Sequence, residues 1–451
     1  MIGASLSRWT MSYFAAAIVA LITALGLMTA GYGYPHAPVD APPTLIIVHL
    51  VAIGWLSLLM CGALFQFVPV LIARPLANEQ LPLPALICLL LGLFSLLCGF
   101  LWLDGGIDTT LPFFPMAATL LGLGFALVVW GLAHTLLTGR PLPLSARFVA
   151  VALAGVALTA TLGIIFALVR GGIVAEPHLV DLTVAGVPIH AIAGLGGWLT
   201  FAAMGVSYRL LAMFMLAPEL DRRGSRLALH LGSCALALAI IGGAVAICLE
   251  WSRNLMLLAA GLPGLAALAF YGRDMLHLYR ARKRRIIELN ARMATFAFAS
   301  LGLAVMLVIA LLALGRLQEQ VAAVVFLVAF GWLSGLGLGK LYKIVAFLTW
   351  LECYGPVLGK KPTPRVQDLV IEKRAQKWFY LYFIAVWLGT AALLWGRPLV
   401  FQTMTLAMLV ATLGIVVQLV RIRRLADVKV DDRFPADTRR PALLHAAVQG
   451  I

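Results

Sequence analysis

The chain has 451 residues, of which 62% are apolar and only 12% charged, and its mean hydropathy is +1.00. Such a composition excludes a water-soluble globular domain, whose surface would be left overwhelmingly apolar, and makes lipid the expected solvent. The formal net charge of +15 does not call for nucleic acid, because the Lys and Arg fall where membrane topology puts them.

Apolar runs of roughly 20 or more residues, each long enough to cross a hydrocarbon core of about 30 Å as a helix, recur along the whole length. They are continuous rather than alternating, which excludes a barrel. In chain order the expected spans are 10–33, 44–72, 82–103, 112–137, 147–170, 184–217, 226–250, 254–280, 292–315, 319–350, 377–396 and 399–420. The first is too long for the apolar region of a signal peptide, and no A-x-A-like cleavage site precedes Tyr34-Pro35, so it reads as retained.

With the N-terminus inside, 26 of the 34 Lys and Arg lie in the N-terminal segment, the even-to-odd connections and the C-terminal tail. Arg170, Arg253, Arg316 and Arg397 are on the other side, and Arg209, Arg273, Lys340 and Lys343 fall within helices. The positive-inside rule then places both termini in the cytoplasm, in what reads as a bacterial-type inner membrane. The cluster Arg280-Ala281-Arg282-Lys283-Arg284-Arg285 suits anionic lipid headgroups or serves only to fix topology. The longest loop, about 351–376, and the basic tail after Arg421 are the only inner pieces of any size. Six cysteines sit in apolar segments or at their ends without a C-x-x-C, so disulfides are not expected.

An internal repeat runs through these spans. Helix two carries Gly54-Trp55-Leu56-Ser57, helix six Gly197-Trp198-Leu199-Thr200 and helix ten Gly331-Trp332-Leu333-Ser334. In all three a second Gly (Gly62, Gly205, Gly339) follows the Trp by seven residues and an aromatic (Phe65, Tyr208, Tyr342) by ten. The Trp-to-Trp separations of 143 and 134 residues each equal one four-helix unit. The expected architecture is therefore all-α integral membrane: twelve transmembrane helices in three pseudo-threefold four-helix repeats, about 10–140, 147–285 and 292–424, in a single membrane domain over 1–451 with a cytoplasmic tail at 425–451. The glycines permit close helix approach. Trp55 and Trp198 either wall a cofactor pocket or pack.

Two histidines lie inside apolar spans, His49 six residues before Trp55 and His190 eight before Trp198. An imidazole in the membrane costs free energy unless paired, wetted or bound to a metal. The outer segments add His36 with Asp40 and His178 with Asp181 at matching offsets, while unit three has Gln318, Glu319 and Phe326 instead. A pair of imidazoles across a gap suits the iron of a six-coordinate b-type haem, and without a C-x-x-C-H there is no c-type attachment. The outer quartet His36, Asp40, His178 and Asp181 could instead bind copper or zinc, hydrogen-bond haem propionates, or be ordinary polar loop chemistry. His134 and His277 read as helix-end residues, and His230 and His445 as surface ones. After the shared aromatic stand Gln66, Arg209 and Lys343, which either line an ion path or snorkel.

At His49-Leu50-Val51-Ala52-Ile53-Gly54-Trp55 through Phe65-Gln66-Phe67-Val68-Pro69, and at Gly205-Val206-Ser207-Tyr208-Arg209-Leu210, the chain resembles subunit I of haem–copper oxidases and nitric oxide reductases. The resemblance covers the chain as topology but only helices two and six as motifs. It implies that His49 matches a low-spin haem ligand and that His190 has the place of an active-site copper ligand. This chain departs from the family at helix ten, where Val324-Val325-Phe326 replaces His-x-His; it has no His-His pair after helix seven, and no Tyr follows His190 by a turn. The resemblance thus implies a short, atypical relative that is not a proton-pumping oxidase, with one haem b clamped by His49 and His190. A weaker likeness is to membrane haem proteins of nitric oxide stress. The implied functions are electron transfer, with quinol or a small redox protein as partner, or handling of a diatomic gas such as nitric oxide. The residues leave open a transporter or channel without chromophore, and a copper- or zinc-handling protein without haem.

Overall fold

A computed structural model of the chain describes residues 8–429, 433, 438 and 441–445; much of the tail, expected at 425–451, lies outside the described residues. Twelve helices are long and apolar enough to cross a membrane, and no β-strand occurs among the described residues. They are α1 (Thr10–Thr29), α2 (Pro42–Ile72), α3 (Pro82–Leu103), α4 (Phe113–Leu137), α5 (Leu144–Arg170), α6 (Val187–Met215), α7 (Arg223–Cys248), α8 (Arg253–Arg280), α9 (Leu289–Ala313), α10 (Leu317–Val357), α11 (Glu372–Leu394) and α12 (Pro398–Arg423). The chain is thus an integral membrane protein by the length and apolarity of its helices.

Helix ends differ from the hydropathy boundaries where local chemistry intervenes. α1 stops at Thr29 because the chain turns through Gly31 and Gly33, both at positive φ. The segment before α6 is a separate short helix, Pro177–Ala185, started by Pro at its first position and by the Glu176 carboxylate, which accepts from Leu179 N–H at 2.9 Å. It ends at Gly186, where any Cβ would stand 2.2 Å from the Leu182 carbonyl oxygen. His178 and Asp181 therefore sit on a helix and not in a loop, which corrects the sequence reading. α11 begins at Glu372, earlier than its apolar run, because Glu372 favours a helix N-terminus and its carboxylate accepts from Leu289 N–H at 2.9 Å. The long inner loop is correspondingly shorter.

The chain divides into two compact units, one of residues 3–62 with 287–451, the other of 63–286. The boundary at 286/287 falls between the second and third repeats, whereas the other cuts α2 between Gly62 and Ala63. In the first unit α11 packs along α12, α12 against α1, and α9 against α10. In the second, α3 pairs with α4, α4 with α5, α5 with α6, and α7 with α8, as short connections between antiparallel neighbours require.

The three Gly-Trp motifs share one kind of contact. The second glycine of each motif abuts the first helix of its own repeat: a Cβ at Gly62 would meet Tyr13 Cβ at 2.6 Å, at Gly205 the Ser145 carbonyl oxygen at 2.7 Å, and at Gly339 Met293 Cβ at 3.1 Å. Small residues at these crossings let helix backbones approach closely, the main source of helix association in lipid.

Candidate functional site

Each motif helix is π-helical around its Gly-Trp: Leu50–Ser57 in α2, Ile192–Thr200 in α6 and Leu327–Ser334 in α10. A π segment widens the helix, costs hydrogen-bond geometry, and is concentrated at functional sites. Three at one register make it a property of the repeat. Hydroxyls support the wide turn: Ser57 Oγ donates to the Ala52 carbonyl and Ser334 Oγ to that of Ala329, both at 2.7 Å and both five residues back.

The two intramembrane histidines stand at the N-terminal edge of two of these segments. His49 is the last α-helical residue before Leu50, and its Nδ1 lies 2.8 Å from the Leu45 carbonyl oxygen. That bond requires the proton on Nδ1, which makes Nε2 the basic nitrogen; a carbonyl on the far nitrogen is how ligating imidazoles are oriented. His190 lies two residues before Ile192, half-buried, with the Phe166 ring 5.4 Å away and Gly163 opposite, where a Cβ would be 3.3 Å from the imidazole Cε1. The registers differ. Six residues separate His49 from Trp55 and eight separate His190 from Trp198, so the residue in the His49 register is Ile192 in α6 and Phe326 in α10.

The motif tryptophans are buried in all three repeats, Trp55 and Trp332 at 0% exposure and Trp198 at 1%. Trp55 Nε1 donates to Ser334 Oγ at 2.8 Å, and Trp332 lies 5.5 Å from the Phe298 ring. Packing of the Trp is thus shared by a repeat without a histidine, and for Trp55 the packing role is the observed one.

The outer residues His36, Asp40, His178 and Asp181 are all exposed. Among the described residues no group of three or more His, Cys, Asp or Glu is placed to hold a metal ion; a haem needs only two axial protein ligands. Arg209 and Lys343 form ion pairs, Arg209 with Glu219 and Lys343 with Glu288 at 2.8 Å. His134, His230 and His445 are exposed. The six cysteines are free.

Several buried polar residues were not singled out by sequence reasoning. Arg423 pairs with Glu352 at 2.9 Å, each 5% exposed, and also donates to Thr349 Oγ1. In the second unit Tyr208 Oη donates to Asp274 Oδ2 at 2.9 Å, and Asp274 is 4% exposed. An Asp among Arg273, His277 and Arg280 reads as a solvated helix end; only its burial marks it.

Compared with protein-family models and with curated proteins, the chain matches none.

Proposed function

We propose that the chain is a membrane b-type haem protein, with His49 of α2 and His190 of α6 as the residues that would hold the iron. The observation that carries the reading is His49: an imidazole inside an apolar span, its Nδ1 committed to a backbone carbonyl at 2.8 Å and its Nε2 thereby basic, directly before a π-helical turn. His190, beside the Phe166 ring and two residues before the π-helical turn of α6, supports it. The reading includes the finer architecture that the repeat implies, three four-helix arcs about a pseudo-threefold axis as in haem–copper oxidase subunit I, with both termini at the inner face of a bacterial-type membrane.

A bound haem supplies a one-electron couple. The chain's own contribution would be to orient His49 through Leu45 and to wall His190 with an aromatic ring. Two histidine ligands favour electron transfer, with quinol or a small redox protein as donor, over turnover of a gas; handling nitric oxide would need one ligand to leave.

The test is an absorption spectrum of detergent-purified protein, oxidised and dithionite-reduced, for wild type, His49→Ala and His190→Ala. Sharp reduced α and β bands in the wild type that vanish in both variants support the assignment. A colourless wild type made with ample haem defeats it and moves transport or metal handling to the front.

A further inference from the structure

The second unit holds a buried carboxylate that the haem reading does not use. Asp274 lies in the last two turns of α8 and accepts from Tyr208 Oη of α6. On α7, Ser225 is 0% exposed; its hydroxyl stands beside the same phenol but outside hydrogen-bonding geometry, and its Oγ has no hydrogen-bond partner. Tyr271, 1% exposed, meets the Tyr208 ring edge-on at 5.6 Å and has Ser207 beside its hydroxyl. Oxygen atoms from three helices thus gather at the Tyr208 hydroxyl, which donates to the acid.

Charge balance turns this cluster into a site. A carboxylate taken out of water costs several kcal/mol unless compensated, and a phenol provides one hydrogen bond but no counter-charge. An acid inside a membrane helix is a functional-site candidate by default. Arg209 pairs with Glu219, Arg226 with Asp221 at 2.8 Å, and Arg273 lies over the Phe270 ring at 5.3 Å, while His277, three residues on from Asp274, makes no ion pair with it. Among the described residues no Lys, Arg or His is ion-paired with Asp274.

The donor set selects the kind of ion. Every group offered is an oxygen, which suits a hard cation. One carboxylate balances one positive charge. Phe148 packs 5.2 Å from the Tyr208 ring and 5.6 Å from Phe201, so an aromatic wall closes one side of the cluster. We propose that Asp274, with the hydroxyls of Tyr208 and Ser225, holds a desolvated monovalent metal cation of the sodium class, joining α6, α7 and α8. The site lies within one unit and stands whether or not haem is bound.

The test uses full-length protein in detergent at constant ionic strength, with sodium chloride exchanged against choline chloride. For the wild type, sodium raises the midpoint of thermal unfolding saturably, and equilibrium dialysis with radiosodium finds one ion per chain. Asp274→Asn, which still accepts from Tyr208, elutes as the wild type does but binds sodium at least about tenfold more weakly; Ser225→Ala shows a smaller loss. Equal midpoints in the two salts with no bound radiosodium overturn the proposal, as does sodium binding that survives Asp274→Asn. Should Asp274→Asn fail to fold, unchanged sodium affinity in both Ser225→Ala and Tyr208→Phe overturns it.

Discussion

Trp55 donates its indole N–H to Ser334 Oγ across 2.8 Å, and Ser334 in turn donates to the Ala329 carbonyl five residues back in its own helix. One π-helical turn is thereby tied to another within the same unit. Trp55→Phe keeps most of the buried area and removes only the donor, while Ser334→Ala removes the acceptor and the support of the turn. Each should cost about 1 kcal/mol, the net worth of a buried hydrogen bond. Because they delete the same bond, the double variant should cost clearly less than the sum, read from thermal or denaturant unfolding in detergent. Simple additivity would show the bond to be incidental.

The motif glycines make a second, graded prediction. Gly205 faces the Ser145 backbone oxygen, 2.7 Å from where a Cβ would be, so Gly205→Ala must push α5 and α6 apart. Overpacking of this kind costs about 1–3 kcal/mol. Gly302, with nothing within 4 Å of its Cβ position, serves as the control: Gly302→Ala should be neutral or stabilising by up to about 1 kcal/mol through helix propensity. Unfolding midpoints of the two variants separate the effects, and equal losses would remove the close-approach explanation.

The contrast between these glycines and the rest of the site explains what could be read in advance. Twelve apolar spans and the phase of Gly-Trp are written in residue types, and both Gly205 and Gly339 do at helix crossings what small residues do in lipid. The π turns are not legible in that way, because whether Leu50–Ser57 bonds four or five residues back depends on what packs around it, not on composition. Gly186 is a middle case: Gly-Val-Pro looks like a break, yet the expected span 184–217 runs across it and leaves the short helix Pro177–Ala185 almost wholly outside. Asp274 was hidden by its company of Arg273, His277 and Arg280 near a helix end, and Glu352 by standing just beyond the expected span that stops at 350; only burial to about 5% distinguishes them.

Glu352 and Arg423 give a third prediction. Each is 5% exposed, and they meet at 2.9 Å, with the guanidinium also donating to Thr349 Oγ1 and to the Ala442 carbonyl. Removing one partner from a buried pair leaves a charge uncompensated, so Glu352→Ala should destabilise by about 3–5 kcal/mol. Replacing both by apolar residues of similar volume, Glu352→Leu with Arg423→Met, should recover most of that loss. Detergent-solubilised yield and unfolding midpoint report both outcomes; a double variant no better than Glu352→Ala would mean that the pair is needed as charges.

The last prediction concerns the iron. If His49 is an axial ligand, its replacement by Met should behave differently from its replacement by Ala, because a thioether can still coordinate while donating less electron density. His49→Met should therefore retain haem at near wild-type stoichiometry and shift its reduction potential upward, whereas His49→Ala should lose the six-coordinate spectrum. A spectroelectrochemical titration of the purified proteins measures the potential, and a pyridine haemochrome assay measures the haem. The Leu45 carbonyl would act in the opposite direction to that substitution: by accepting the Nδ1 proton at 2.8 Å it would strengthen donation from Nε2 and, with haem bound, favour the ferric state and a lower potential. An unchanged potential in His49→Met, with haem still bound, would place the axial ligand elsewhere and leave His49 as a hydrogen-bonded histidine of the helix.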